Sequence, residues 1–218
     1  ASKASERALK LDPLNYESHI VLGIVKHLAG SYEEAAAAYE QALGLEPSIA
    51  ERLNGLLDNA LLSHGAHMRA MNLYENYLDL HPKDYALLYK IGRANQVGGQ
   101  IQAAQPYIAR AIALAQQELR RNSRSAHAYL YIALAQTRMG RYTEARDAAE
   151  RAVSISPNDP QVLYGMARML SMQRETAEAL EWLEKAISVR YSYRGILDVD
   201  LFNIRADRNF EKILHAGL

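Results

Sequence analysis

The chain has 218 residues, of which 49% are hydrophobic, enough for a continuous core. Its 25 basic residues balance 25 acidic ones, so the charge indicates neither a nucleic-acid partner nor an anionic membrane surface. The sequence has no cysteine, which excludes a disulfide framework and a thiolate zinc site. No apolar run in it approaches the roughly 20 residues of a membrane span.

The first predicted element is a single helix at the N-terminus. Residues 1–13 have the pattern of the second helix of a hairpin, with Ala8 at a close-packed position and Pro13 at the end. A chain that begins inside a hairpin predicts further residues upstream. We therefore expect this sequence to be a fragment or a processed product of a longer protein.

Residues 16–47 form the next unit, a predicted helical hairpin. The first helix ends at Gly30-Ser31, and the second begins near Glu33 and is closed by Pro47. Small residues at 23 and 35 are expected to let the two backbones approach, and Tyr39 is expected to fill the space between successive hairpins. Residues at helical spacing on the buried faces are His19, Leu22, Gly23, Lys26, Ala35, Ala38, Tyr39 and Ala42.

The same hairpin pattern recurs along the chain. Equivalent alanines are separated by 35, 34, 41 and 34 residues; they are Ala35, Ala70, Ala104, Ala145 and Ala179. A period near 34 residues is typical of stacked helical repeats. The sequence therefore predicts an all-α protein, a right-handed α-solenoid of antiparallel hairpins. The predicted repeats are 16–47, 50–82, 85–122, 126–157 and 160–190, within one array over 1–218.

The 41-residue spacing predicts a lengthened helix in the third repeat. The expected closing proline is missing, and the apolar stripe continues through Ile108, Ile112, Ala115 and Leu119. Seven extra residues are about two turns, so they add length without rotating the buried face. We predict one helix from about 102 to 122. It could simply pack on the next hairpin, or it could offer a docking surface with Gln117, Arg120, Arg121 and Arg124.

Residues 191–218 leave the repeat pattern and are predicted to cover the apolar face of the last hairpin. Arg194-Gly195 is expected to turn the chain, and Asp207 is expected to cap a last helix. Asp198 and Asp200 alternate with apolar residues here. We interpret them as solvated surface carboxylates rather than as a catalytic pair.

No catalytic constellation is found in the sequence. His64 and His67 lie three apart, but no third ligand completes a metal site. Gly98-Gly99 is interpreted as an interhelix turn, because no Gly-Lys-Ser/Thr follows it. We therefore predict no enzymatic activity, no cofactor and no bound metal.

The repeat resembles the tetratricopeptide repeat, W-x2-L-G-x2-Y followed by A-x3-F and P. In residues 16–47 these seats are held by His19, Leu22, Gly23, Lys26, Ala35, Tyr39 and Pro47. The tail is similar to the closing segment of such arrays in bacterial multidomain signalling proteins. The resemblance implies a scaffold that binds a peptide or protein segment in a concave groove. An alternative is a regulatory segment acting in cis on an upstream signalling enzyme or transcription factor.

The resemblance also implies which seats face the groove. The partner-binding candidates are Asn54, Asp58, Leu61, Tyr89, Arg93, Gln96, Leu130, Leu134, Arg138, Tyr164 and Arg168. The seats that hold a terminal carboxylate in chaperone-binding members are here Ile20, Ile24, Gly55, Ala86 and Lys90. Only one is basic, so no chaperone carboxylate clamp is expected. We expect a cytoplasmic location, with a periplasmic one as the alternative.

Overall fold

A computed structural model describes residues 2–189 and 198–216, and the described residues form helices without β-strands. The helices are α1 (Ser2–Leu11), α2 (Tyr16–Leu28), α3 (Tyr32–Leu45), α4 (Ala50–His64), α5 (His67–Leu80), α6 (Tyr85–Val97), α7 (Ile101–Arg121), α8 (Ala126–Arg138), α9 (Tyr142–Ile155), α10 (Pro160–Met172), α11 (Thr176–Ser188) and α12 (Arg208–Ala216). Short 3-10 helices lie at Pro47–Ile49 and Val199–Ile204. The predicted all-α class is confirmed.

The chain divides into two compact units. Of the described residues, unit 1 contains 2–70 and 198–199, and unit 2 contains 71–189 and 200–216. In unit 1, α2 packs against α1 and α3, and α3 packs against α4. In unit 2, α6 pairs with α7, α8 with α9, and α10 with α11. Consecutive antiparallel helices packed in this way are the arrangement of an α-solenoid.

The first helices of the unit 2 hairpins lie side by side. Helix α8 packs against both α6 and α10. Helix α12 lies on α11 at the end of the unit, where Phe210 and Ile213 are buried. We call the face of α6, α8 and α10 the first-helix surface. It brings together residues that are far apart in sequence.

Recurring polar residues set the start of these first helices. The side chains of Asp84, Ser125 and Asp159 accept hydrogen bonds from amides in the first turns of α6, α8 and α10. These contacts satisfy amide groups that have no partner within the helix. The same local chemistry therefore fixes where each first helix begins.

The repeated alanines lie in the core, as the period predicts. Ala35, Ala70, Ala104, Ala145 and Ala179 are all fully buried. At Gly23, a Cβ would overlap the ring of Tyr39. Gly23 thus makes room for Tyr39 within its own hairpin. The ring does not lie only between successive hairpins.

The lengthened helix of the third repeat is confirmed. Helix α7 has 21 residues, whereas its counterpart α9 has 14. Ala104, Ile108, Ala111 and Ala115 are buried along one face, so the extension continues the same stripe.

The last described helix of the C-terminal segment, α12, packs on α11 of the last hairpin. Asp207 Oδ1 accepts a hydrogen bond of 2.8 Å from the Asn209 amide, immediately before α12. The expected turn at Arg194-Gly195 lies outside the described residues. The division into a leading half-repeat, five repeats and a cap in one array stays a proposal.

Candidate functional site

Three arginines from three successive first helices converge in unit 2. Arg93 lies on α6, Arg138 on α8 and Arg168 on α10. Between them lies the carboxylate of Asp200, which comes from the 3-10 helix Val199–Ile204. Arg138 Nη2 donates to Asp200 Oδ1 at 2.5 Å, and Arg168 Nη2 donates to Oδ2 at 2.6 Å. Arg93 Nε lies 3.5 Å from Oδ2. We call these three arginines the arginine site.

Asp200 and Arg93 are buried, and Arg138 and Arg168 are largely shielded from water. The exposed fractions of the side chains are 4% for Asp200, 3% for Arg93, 8% for Arg138 and 13% for Arg168. Charges removed from water cost several kcal/mol each unless partners compensate them. Each Asp200 oxygen has its own guanidinium donor, and charge-assisted contacts of this length are strong. The arginines therefore hold the Asp200 carboxylate through a separate donor on each oxygen.

Tyrosine rings orient the guanidinium groups. Arg138 Nε donates to the Tyr89 hydroxyl at 3.1 Å, and the Arg138 and Arg168 guanidiniums lie 5.5 and 5.9 Å from the Tyr89 ring centre. The Tyr131 ring contacts Tyr89 edge to face at 5.6 Å. Such cation–π and aromatic contacts limit the geometries that the arginines can adopt.

A second hydrogen-bonded pair fixes the C-terminal end of α8. Arg138 Nη1 donates to Gln96 Oε1 at 3.1 Å, and Gln96 Nε2 donates to the Arg138 carbonyl at 3.0 Å. Gln96 thus holds both the backbone and the side chain of Arg138. The guanidinium is oriented before it meets the carboxylate.

The electrostatics keep the cluster ionised. Burial alone would raise the pKa of Asp200, but Arg138, Arg93 and Arg168 outweigh burial and hold that pKa well below its usual range. Burial acts to lower the pKa of Arg138, yet Asp200 makes the net shift upward. Burial also raises the pKa of Tyr131 to about 12, so its hydroxyl stays neutral.

Apolar and amide contacts hold the Asp200 backbone in place. Leu201 and Ile204 are fully buried, and Asn203 Nδ2 donates to the Ser171 carbonyl of α10 at 2.8 Å. Phe202, between these residues, is 74% exposed. A short segment of the chain therefore lies on the first-helix surface as a bound peptide would.

The interpretation of Asp198 and Asp200 as solvated surface residues was wrong. Both are buried. Their alternation with apolar residues suggested a solvent face, but the ion partners of Asp200 lie 32 and 62 residues away in sequence. A local pattern has no access to partners at such separations. Only the arginines at the groove-facing seats of α6, α8 and α10 offered a signal.

The structure brings several of the partner-binding candidates together and buries others in helix packing. Tyr89, Arg93, Gln96, Arg138 and Arg168 all belong to the cluster around Asp200. Three further candidates of unit 2 are buried in the first helices: Leu130, Leu134 and Tyr164. A Cβ on Gly165 would overlap Leu130, so this leucine fills the contact between α8 and α10. A partner reaches these residues only if covering groups move.

The candidates of unit 1 lie on α4. Asp58 and Leu61 are buried there. The Asn54 backbone belongs to the same helix, and its side chain lies outside the described residues. The alternative docking surface on α7 has exposed side chains at Arg120 and Arg121.

Two findings concern other kinds of site. No His, Asp or Glu side chains in the part of the chain that the structure describes are grouped as a metal site of three or more. His64 Nε2 instead lies 3.2 Å from Glu33 Oε2 at an exposed position. Across residues 2–189 and 198–216, no helix combines the length and apolarity that a membrane crossing requires.

Solved structures of low sequence identity share the fold. A thermophilic TPR protein from Thermus thermophilus is 19% identical, with a TM-score of 0.52 over 92% of this chain and 99% of that one. A tetratricopeptide repeat protein from Parabacteroides merdae is 20% identical, with a TM-score of 0.50 over 100% and 91%. Yeast Tom70 is 18% identical, with a TM-score of 0.51 over 98% of this chain and 46% of its own.

Sequence-family comparison gives the same result. No curated protein matches the chain. Two models described as tetratricopeptide repeat match residues 1–48 and 128–192, which together make up just over half of the sequence. These matches include the leading helix and the last two hairpins. The chain therefore belongs to the tetratricopeptide repeat family.

Proposed function

We propose that this chain is a non-catalytic scaffold that binds a peptide or protein segment on the surface of its first helices. Membership of the tetratricopeptide repeat family supports a general role in protein interaction. The observation that carries the proposal is the way in which unit 2 holds residues 200–204. Helices α8 and α10 hold this segment through two short ion pairs and a side-chain amide contact. Helix α6 adds Arg93, whose Nε lies 3.5 Å from Asp200 Oδ2.

The chemistry of this surface suits recognition of another polypeptide. Tyrosine and arginine are enriched among the residues that dominate binding energy at interfaces, and both types line the surface. Buried leucine and isoleucine side chains beside Asp200 add an apolar contribution. Such a surface favours a peptide with both an acidic and an aliphatic residue.

A peptide selection tests the proposal. Random peptides displayed on phage are selected on the full chain, and bound peptides are mapped by amide hydrogen exchange. We expect new protection in α2 and α4 of unit 1 or in α6, α8 and α10 of unit 2. Protection confined to second helices such as α9, or no selected peptide at all, would contradict the proposal.

A further inference from the structure

The arginine site is already filled by the chain itself. Asp200 receives separate donors on its two oxygens, from Arg138 and Arg168, and Leu201 and Ile204 are buried beside it. The occupied surface is the one to which the proposed function assigns a partner. A second polypeptide and residues 200–204 therefore cannot occupy this surface together.

We propose that the arginine site binds an aspartate-containing peptide segment of a partner, and that residues 200–204 are an internal ligand that competes with it. This inference rests on the proposed function and specifies its ligand class. The ligand presents one buried carboxylate, followed directly by an aliphatic residue and, three positions further on, by a second one. Asp200, Leu201 and Ile204 supply this pattern in cis.

The geometry specifies a carboxylate on a peptide. Two guanidiniums bind one oxygen each, while the Tyr89 hydroxyl and Arg93 Nε both lie 3.5 Å from Oδ2. A planar group with two oxygens satisfies this set of donors. The adjacent buried Leu201 and the Asn203 amide contact to Ser171 require a backbone that continues past the acid.

Competition follows from mass action. A tethered segment acts at an effective concentration in the millimolar range, so it resists a free peptide that makes the same contacts. Weakening the internal segment at its carboxylate lowers that resistance and leaves the arginines in place. Asp200→Asn is the variant that does so with the smallest change in shape.

The test measures binding of a labelled peptide by fluorescence anisotropy. The peptide copies residues 198–204, Asp-Val-Asp-Leu-Phe-Asn-Ile, with blocked termini, and it is titrated into the full chain. We expect the Asp200→Asn chain to bind at least tenfold more tightly than wild type. Glu211→Gln, which removes an exposed carboxylate from α12, is the matched control and should behave as wild type.

Two further measurements assign the binding to the arginine site. In the Asp200→Asn chain, we expect binding to weaken at least tenfold when the central aspartate of the peptide is replaced by asparagine. Adding Arg138→Gln to the Asp200→Asn chain should weaken it by a similar factor. Equal binding by the aspartate and asparagine peptides, or no gain from Asp200→Asn in a folded chain, would overturn the proposal.

Hydrogen exchange in wild type provides a test that needs no variant. Should circular dichroism show that Asp200→Asn does not fold, excess peptide is added to wild type. Faster exchange of the amides of 200–204 is then expected, and unchanged exchange would overturn the proposal. If randomly selected peptides bind the first helices but the 198–204 peptide does not bind, this inference is wrong and the proposed function stands. Failure of both sets of peptides would defeat the proposed function as well.

Discussion

At the scale of single residues, Asp200 and its three arginines lose hydration on burial and gain close ion pairs in return. Moving a carboxylate and guanidiniums out of water costs several kcal/mol per ion. Close ion pairs repay that cost only when all partners are present. Loss of one partner leaves the others buried without compensation, which is why a single substitution here has a large effect.

Asp200→Asn should lower the free energy of unfolding by about 3 kcal/mol, the low end of the range for breaking a buried ion pair. The amide keeps the size of the side chain but removes the charge that Arg138 and Arg168 bind. Urea unfolding followed by circular dichroism measures the change. Glu211→Gln should stay within about 0.5 kcal/mol of wild type, as most surface substitutions do. Equal effects of the two substitutions would contradict the expectation.

Acid should weaken this contribution only at low pH. The folded-state pKa of Asp200 lies below the value of about 3.9 for an unfolded aspartate. The ionised group therefore adds stability that is fully present above that pH and is lost as the pH falls toward the folded-state pKa. The groups that face it, Arg93, Arg138, Arg168 and Tyr89, include no other acid.

The difference in unfolding free energy between wild type and Asp200→Asn measures this pH dependence. We expect the difference to be constant from about pH 7 to pH 5 and to shrink below about pH 4. Urea titrations at a series of pH values provide the measurement. A difference that already shrinks between pH 7 and 5 would instead indicate a raised pKa, as burial without the arginines would produce.

The sequence predicted one side of the arginine site and missed the other. Tyr89, Arg93, Arg138 and Arg168 were candidates because the family resemblance implies that their seats on the first helices face the groove. Asp200 was not, because it lies outside the repeats and pairs with Arg138 at a separation of 62 residues. Periodicity predicts which residues of a helix share a face. It does not predict that a segment outside the repeats packs on that face.

At the scale of helices, glycines set how closely α8 and α10 approach. Gly165 lies in the middle of α10, where glycine normally destabilises a helix relative to alanine. Here a Cβ would overlap the Leu130 side chain of α8. The sequence pattern alone did not single out this glycine.

Gly165→Ala should destabilise the protein by about 1–3 kcal/mol, the usual cost of overpacking. Gly55→Ala on α4 should instead stabilise it by about 0.5–1 kcal/mol, because no atom lies near that Cβ and alanine favours helix. Thermal unfolding of the two variants against wild type gives the comparison. If both variants were more stable than wild type, Leu130 would have moved away from the new Cβ without loss of stability.

Helix lengths could be predicted well from the pattern. The stripe through Ile108 and Ala115 predicted a continuous helix where other repeats have a proline, and α7 has the expected extent. This succeeded because buried residues along one helix are local in sequence. The prediction that its arginines form a docking surface depends on a partner and stays a prediction.

At the scale of the whole chain, the fold could be predicted because it is built from near neighbours. Each hairpin in a helical array contacts mainly the hairpins before and after it, so a period near 34 residues defines the contacts as well as the elements. Within each of the two compact units, helices likewise pack mainly on their neighbours in sequence. Residues 200–204 are the exception, since they contact helices from three hairpins of unit 2.

Because residues 200–204 occupy the first-helix surface, their departure would set the maximal rate of complex formation there. A partner that needs the arginine site has to wait until the internal segment departs, which is a unimolecular step. In stopped-flow mixing, the observed association rate for wild type should reach a plateau as peptide concentration rises, whereas the rate for Asp200→Asn should keep rising linearly.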